Sequence, residues 1–403
     1  MKRRIVFWSA VGTVVTTYFL FPLVVLARAR LRPRPHSTAE ITPFVTLIVA
    51  AHNEADEIGT KLENILSLDY PVDRLQVVIA SDGCDDGTEE IVRGFADRGV
   101  ELLSLPRGGK AAALNAALAA ARGEILVFSD ANSIYAESAL RELVRPFADP
   151  EVGGVAGDQR YVVDTASEGI AAGERGYWDF DRMMKSAESQ AGNVISATGA
   201  IYAVRASLVG RVPEGVTDDF YTSTGVIARG FRLVFAPDAV AFEPVASSAG
   251  LEFGRKVRVI TRGLRAVVLR RALLDPRAHG LYSLQFFGHK VLRRLMVFPL
   301  AAIAVTSPLL WRRGKLYQAA TVLQAAFYAL GALGIVLAGR PAGRRKLLSL
   351  PAFFCLVNAA AFRATWNLVS GRRIDRWEPR RDQRSAGNGD SLDSAGSLLG
   401  EER

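Results

Sequence analysis

At 403 residues, with 49% hydrophobic and 23% charged positions, the chain exceeds one ordinary domain and can bury a large core. A formal net charge of +9 suits nucleic acid, anionic lipid or a phosphorylated substrate as partner, and charge alone does not choose among them. The only cysteines, Cys84 and Cys355, stand far apart in unlike surroundings, which argues against a disulfide framework and leaves no Cys/His spacing for a metal.

In chain order, the first feature is Ile5 to Ala27, an uncharged apolar run of about 23 residues, about 35 Å as a helix. That length matches a bilayer core and predicts a membrane span, because the apolar stretch of a cleaved signal peptide is shorter. A block of different character follows, from about Pro43 to Val245. VTLIVA (45–50), LQVVIA (75–80) and EILVFS (124–129) are the short, β-rich apolar runs of buried parallel strands. Helical stretches separate them, Glu57 to Leu66, Thr88 to Phe95 and residues 110–121, the last expected to stop with Gly123 as its C-cap. This alternation predicts an α/β fold with right-handed βαβ crossovers.

Open parallel sheets bind ligands beyond the carboxyl ends of their strands. Each predicted strand ends in a polar cluster: AHNEADE, SDGCDDGT and DAN. One edge thereby collects Asn53, Glu54, Asp82, Asp85, Asp86 and Asp130. No GxGxxG follows the first strand and no GxxxxGK[ST] occurs, so dinucleotide and P-loop readings lose their main support. An acidic edge repels bare phosphate. It accepts the hydrogen-bond donors of a base, ribose and sugar, or a divalent cation that in turn holds a diphosphate. Asp85 and Asp86, beside Gly87 and Thr88, read as turn or helix-capping residues. Lys110 opens a helix after two glycines, where its charge and the free backbone N–H groups suit phosphate or sugar. On an extended segment Asp130 and Asn132 would point the same way.

Farther on, LEFGRKVRVITRGLRAVVLRR puts Arg255, Arg258, Arg262 and Arg265 on one helix face, with Val257, Ile260, Leu264 and Val268 over much of the rest, the pattern of a helix lying at a membrane interface. Three further apolar segments, Leu295 to Leu310, Leu316 to Ala338 and Leu347 to Val369, are separated by WRRGK and GRPAGRRK and predict three more spans. Three spans after a cytosolic block would leave the basic WEPRR tail outside, against the positive-inside rule, so the short 295–310 segment is expected to be re-entrant or interfacial. The polar tail from Arg380 is expected to be disordered. The expected divisions are 1–42 for the first span and linker, 43–250 for the soluble domain, 251–294 for interfacial helices, 295–370 for the later spans and 371–403 for the tail.

Taken in order, AAHNEADEI, SDGCDDGT, RGGKAAALNAAL, FSDAN, TGAIYAVR and VTDDF resemble the membrane-bound, cytosol-facing inverting glycosyltransferases of family 2, relatives of cellulose, chitin and hyaluronan synthases. The likeness covers about residues 43 to 265. It implies a nucleotide-diphospho-sugar transferase fold of the GT-A type, a Rossmann-like sheet flanked by transmembrane helices. By resemblance, Ala51 and Glu54 border the nucleotide pocket and Asp82 bonds the base, usually uracil. Asp130-Ala131-Asn132 stands where the family carries a DxD motif for Mg2+ or Mn2+, with asparagine keeping an oxygen donor and dropping a charge. Asp219 takes the place of the general base, with Asp218 beside it, and Gly199 and Tyr202 shape the acceptor side. Arg258 or Arg262 would bind the diphosphate in the Q(or R)xxRW region, where Val259 replaces the expected tryptophan. The implied partners are a nucleotide-sugar donor, UDP-linked in most relatives, a glycan or lipid acceptor and membrane lipids, not nucleic acid. Polymer synthesis and lipid glycosylation both remain open, and a membrane scaffold that only binds nucleotide is the non-enzymatic alternative.

Overall fold

The structure, a computed structural model, describes residues 1–162, 168–244, 249–338 and 340–372. The chain divides into two compact units, one containing 29–166 and 178–247, the other 1–28, 167–177 and 248–374.

The first unit is built on one eight-stranded sheet. Its strands are β1 (Val45–Ala51), β2 (Leu75–Asp82), β3 (Val100–Leu105), β4 (Ile125–Ser129), β5 (Ile134–Tyr135), β6 (Val152–Val162), β7 (Tyr202–Arg205) and β8 (Arg232–Pro244). They lie in the order β3-β2-β1-β4-β7-β6-β8-β5. The three expected strands are β1, β2 and β4; β1 pairs in parallel with both of the others, Val45 facing Leu75 on one side and Ile125 on the other. Beyond β4 the sheet turns antiparallel through β7, and β6 and β8 then run parallel to each other.

Every residue of β1 is buried, which is why its sequence is apolar without alternation. Helix Ala55–Leu66 covers one face with Ile58, Leu62 and Ile65, packed in the same core as Leu47, Val49, Ile79 and Val127. Full burial of each such aliphatic side chain contributes about 1.5–3 kcal/mol. Helix Lys110–Ala120 ends in Ala121 with extended backbone. Gly123 therefore does not cap it in the left-handed conformation; it lets the chain run against β1, where a Cβ would lie 2.3 Å from the Thr46 nitrogen. Its N–H donates to Thr46 Oγ1 at 2.8 Å.

The second unit is helical. Among the described residues, three helices are long and apolar enough to cross a membrane: Lys2–Leu31, Lys315–Val336 and Lys346–Val369. The short 295–310 segment forms the second half of a broken pair, Leu281–Arg294 and Val297–Leu309, bent by 58°. Gly331 and Gly334 let helix Lys315–Val336 press against Lys346–Val369: a Cβ on Gly334 would sit 2.4 Å from the Leu348 carbonyl oxygen. Small residues at such crossings are how apolar helices pack when no water drives them together. Helix Ala249–Leu269 carries the predicted arginine stripe and joins Lys346–Val369 through Asn367 Nδ2, which donates to Thr261 Oγ1 at 3.4 Å. The tail read as disordered lies outside the described residues.

Candidate active site

The site grows from the carboxyl ends of β1, β2 and β4. Asp82, the last residue of β2, is 1% exposed. Its Oδ1 accepts the N–H groups of Gly108 at 2.7 Å and Gly109 at 2.8 Å, and its Oδ2 accepts Arg107 Nη1 at 2.8 Å. The carboxylate thus fastens the loop that opens helix Lys110–Ala120. Glycine is required opposite it, since Gly83 has φ 62° and a Cβ there would lie 2.8 Å from the Arg107 nitrogen. Asp85 exchanges two hydrogen bonds with Asn53, and Asp86 accepts the N–H groups of Ala55 and Thr88, so this pair staples the loop after β1 to the loop after β2. Asn53 takes the left-handed φ of 54° that asparagine tolerates. Ala51 is fully buried at the end of β1, and Glu54, 7% exposed, donates its N–H to Thr88 Oγ1.

Lys110 then links the remaining candidates. Its Nζ donates to Asp130 Oδ1 at 2.7 Å and lies 3.3 Å from Asp218 Oδ2. Asp130 follows β4 directly, and Asp218 and Asp219 open helix Asp218–Ala228. Burial works to lower the Lys110 pKa, but the charges of Asp130 and Asp218 outweigh it and hold the ammonium well above its ordinary range. Burial, followed by the neighbouring Asp218 charge, pushes Asp219 up to about 7, although its carboxylate accepts the Phe220 N–H at 2.6 Å. A carboxylate poised near neutrality is what a general base needs. Tyr202, on β7 and 1% exposed, stacks on Phe128 with ring centroids 4.7 Å apart. The hydroxyls of Thr198 and Thr217 are buried with no hydrogen-bond partner among the described residues.

Asp82, Lys110, Asp130, Asp218 and Asp219 therefore gather on one rim of the sheet. Asn132 is half-buried, but residues 131 and 132 form a turn and not the extended segment on which a shared orientation was expected. Arg258 and Arg262 belong to helix Ala249–Leu269 of the other unit, one helical turn apart. Three participants escaped the sequence reading. Arg107 is the first residue of the quoted RGGKAAALNAAL, where the sequence reading gave it no role. Lys61 interrupts the buried stripe Ile58, Leu62, Ile65, and that interruption is the signal that marks it. Glu243 lies near the end of β8, with burial and the Asp130 charge raising its pKa.

Gly199 makes room for Asp130, since a Cβ there would lie 2.6 Å from Asp130 Oδ2. Gly199→Ala is expected to push that carboxylate aside and lower transfer activity about 10–100-fold. The displaced group is a side-chain terminus and not backbone, so the melting temperature should hardly move. Kinetics and thermal melts check this together; wild-type kinetics would remove Gly199 from the site.

The carboxylates of Asp130, Asp218, Asp219 and Glu243 lie close enough for the Asp130 charge to raise the pKa of Asp219 and of Glu243, and carboxylate oxygens are what a hard divalent cation takes. Among the described residues no three His, Cys, Asp or Glu side chains form a closed cage. A cation held by one or two protein oxygens and completed by substrate phosphates fits such a set.

A sheet whose parallel edge carries an acidic rim is compatible with a nucleotide-sugar transferase fold of the GT-A type, and the likeness to a solved glycosyltransferase supports that fold. Residues 46–209 match glycosyl transferase family 2. The poly-beta-1,6-N-acetyl-D-glucosamine synthase of Staphylococcus aureus is 27% identical over 293 residues, 70% of this chain and 69% of that one. Among solved structures, the mannosyltransferase PcManGT of Pyrobaculum calidifontis, in complex with GDP-Man and Mn2+, is 26% identical with a TM-score of 0.67, covering 91% of this chain and 100% of that one. The chain carries a glycosyl transferase family 2 domain.

Proposed function

We propose that the protein is a membrane enzyme that moves a glycosyl group from a nucleotide-diphosphate sugar to a hydroxyl of a growing polysaccharide or a lipid, with inversion at the anomeric carbon. The observation that carries this reading is the chain of contacts from Asp82 through Gly109 and Lys110 to Asp130 and Asp218 along one sheet edge. A base presenting an N–H meets Asp82, sharing Oδ2 with Arg107. Ala51 and Glu54 border the nucleotide. Asp130, with Asn132, holds the cation, and Mg2+ or Mn2+ when bound neutralises charge on the departing diphosphate. Lys110 faces the same phosphates. Asp219 takes the proton of the acceptor hydroxyl while its oxygen attacks the anomeric carbon opposite the leaving group. Gly199, Tyr202 and Asp218 shape the acceptor side, and Arg258 and Arg262 are assigned to the diphosphate or the lipid headgroups. The three apolar helices support a location in the cell membrane, and we assign the catalytic domain to its cytoplasmic side.

The name of the staphylococcal relative supports N-acetylglucosamine as the sugar and a polymer as the product, and we take the donor to be UDP-linked. The GDP-Man complex of PcManGT supports a second reading, a GDP-linked donor. Purified protein with radiolabelled UDP-N-acetylglucosamine or GDP-mannose, with and without Mn2+, distinguishes them. Ethanol-insoluble label means polymer and organic-extractable label means lipid. No transfer from a full panel of UDP and GDP sugars with either cation would overturn the proposal.

A further inference from the structure

We propose that Lys61 is a positioning residue, anchoring from within the core the turn that presents Asp130 and Asn132 to the cation and diphosphate; this rests on the role proposed above for Asp130. Lys61 lies on the buried face of helix Ala55–Leu66 and is 0% exposed. Its Nζ donates to the Ser133 carbonyl at 2.5 Å and stands 4.0 Å above the centre of the Tyr135 ring. One turn along the same face, Asn64 brackets Tyr135: its Nδ2 donates to the Tyr135 carbonyl at 2.8 Å and its Oδ1 accepts the Tyr135 N–H at 2.7 Å. The helix therefore grips the chain immediately after Asn132 at both 133 and 135. From the other side Ser133 Oγ donates to Glu243 Oε1 at 2.6 Å, and Gln159 Nε2 donates to Glu243 Oε2 at 2.5 Å, which ties the turn to β8 and β6.

A helix that needed only to fill its stripe between Ile58 and Ile65 would carry an aliphatic residue at 61, because burying an ammonium is costly unless its charge and hydrogens are used. Here both are used. The hydrogens meet a carbonyl and a ring face, and Asp130 and Glu243 are the charges that oppose the lowering of the Lys61 pKa by burial. Lys110 binds Asp130 directly, and against the charges of Asp130 and Glu243 burial still lowers the Lys61 pKa to about 7. With Lys61 behind it, the turn keeps its shape when negative phosphate and positive metal arrive in front.

The test is Mn2+ binding to the full-length protein with saturating UDP and, in parallel, GDP, followed by the electron paramagnetic resonance of free Mn2+ and paired with thermal melts. Lys61→Met is expected to weaken Mn2+ binding about tenfold, the usual scale for groups that orient metal ligands. Its melting temperature should hold or rise, since an apolar replacement of similar volume relieves a buried charge. Lys61→Gln keeps a donor for the Ser133 carbonyl and should lose less. Mn2+ affinity in Lys61→Met equal to wild type, or reduced only as far as the melting temperature falls, overturns the proposal. If Lys61→Met does not accumulate as folded protein, Asn64→Ala decides: it frees the Tyr135 backbone without removing a charge, and unchanged Mn2+ binding there is equally fatal. Asp130→Asn measured alongside separates the two levels. Wild-type Mn2+ binding in Asp130→Asn sinks the site itself, whereas loss there with retention in Lys61→Met sinks only the part given to Lys61.

Discussion

Asp219→Asn is expected to lower kcat by about 10²–10⁴-fold, the range a positioned general base contributes, while donor binding stays close to wild type. Asparagine keeps the size of the side chain and an oxygen that can still accept the Phe220 N–H, so the start of helix Asp218–Ala228 should survive the change. What disappears is the lone pair that removes the acceptor proton. The pH profile supplies a separate check. Asp219 is pushed up to about 7 by burial and then by Asp218. A base acts only when deprotonated, so kcat/KM of the wild type should fall as the pH drops through about 7. Asp218→Asn removes the second cause of that rise and should move the acid limb to lower pH. An unshifted limb in Asp218→Asn, together with a fully active Asp219→Asn, would assign the proton transfer to another group.

Lys110→Met is expected to be nearly as damaging, with a loss of about 10²–10³-fold in kcat/KM, the scale of removing one fixed charge from an electrostatic site. The ammonium touches Asp130 and stands beside Asp218. Without it, negative charges that one cation now balances repel one another, and the phosphates lose a partner. Lys110 is also among the groups that hold the Asp219 pKa down. Its removal should therefore raise that pKa further, making the loss larger at pH 6.5 than at pH 8.5, and added Mn2+ should restore part of the activity. A loss independent of both pH and Mn2+ would reduce Lys110 to a structural residue.

The strands that could be read from sequence were the ones buried on both faces. β1, β2 and β4 are mostly apolar because both of their faces are buried, and the polar Thr46 and Gln76 within them satisfy each other by a hydrogen bond. β6 and β8, the longest strands, were invisible. β6 reads VGGVAGDQRYV, and its glycines look like turns. They are glycines because side chains crowd the strand: a Cβ on Gly153 would meet Leu208 at 2.5 Å, and one on Gly157 would meet the Ala239 carbonyl oxygen at 2.7 Å. Gly123 misled in the opposite direction, resembling a helix cap where close approach to Thr46 is what excludes a side chain.

The sequence by itself determined the α/β core, the acidic tips of its strands and the separate apolar segments, because burial imposes a pattern on neighbouring residues that survives without knowledge of the fold. Only the tertiary structure decided that Lys110 joins Asp130 to Asp218, that Asp82 fastens the loop of Arg107, Gly108 and Gly109, that Asn132 sits in a turn, and that a lysine from a core helix stands behind it. Electrostatic and hydrogen-bond energies depend on separation in space and on the exclusion of water. Spacing along the chain carries neither quantity.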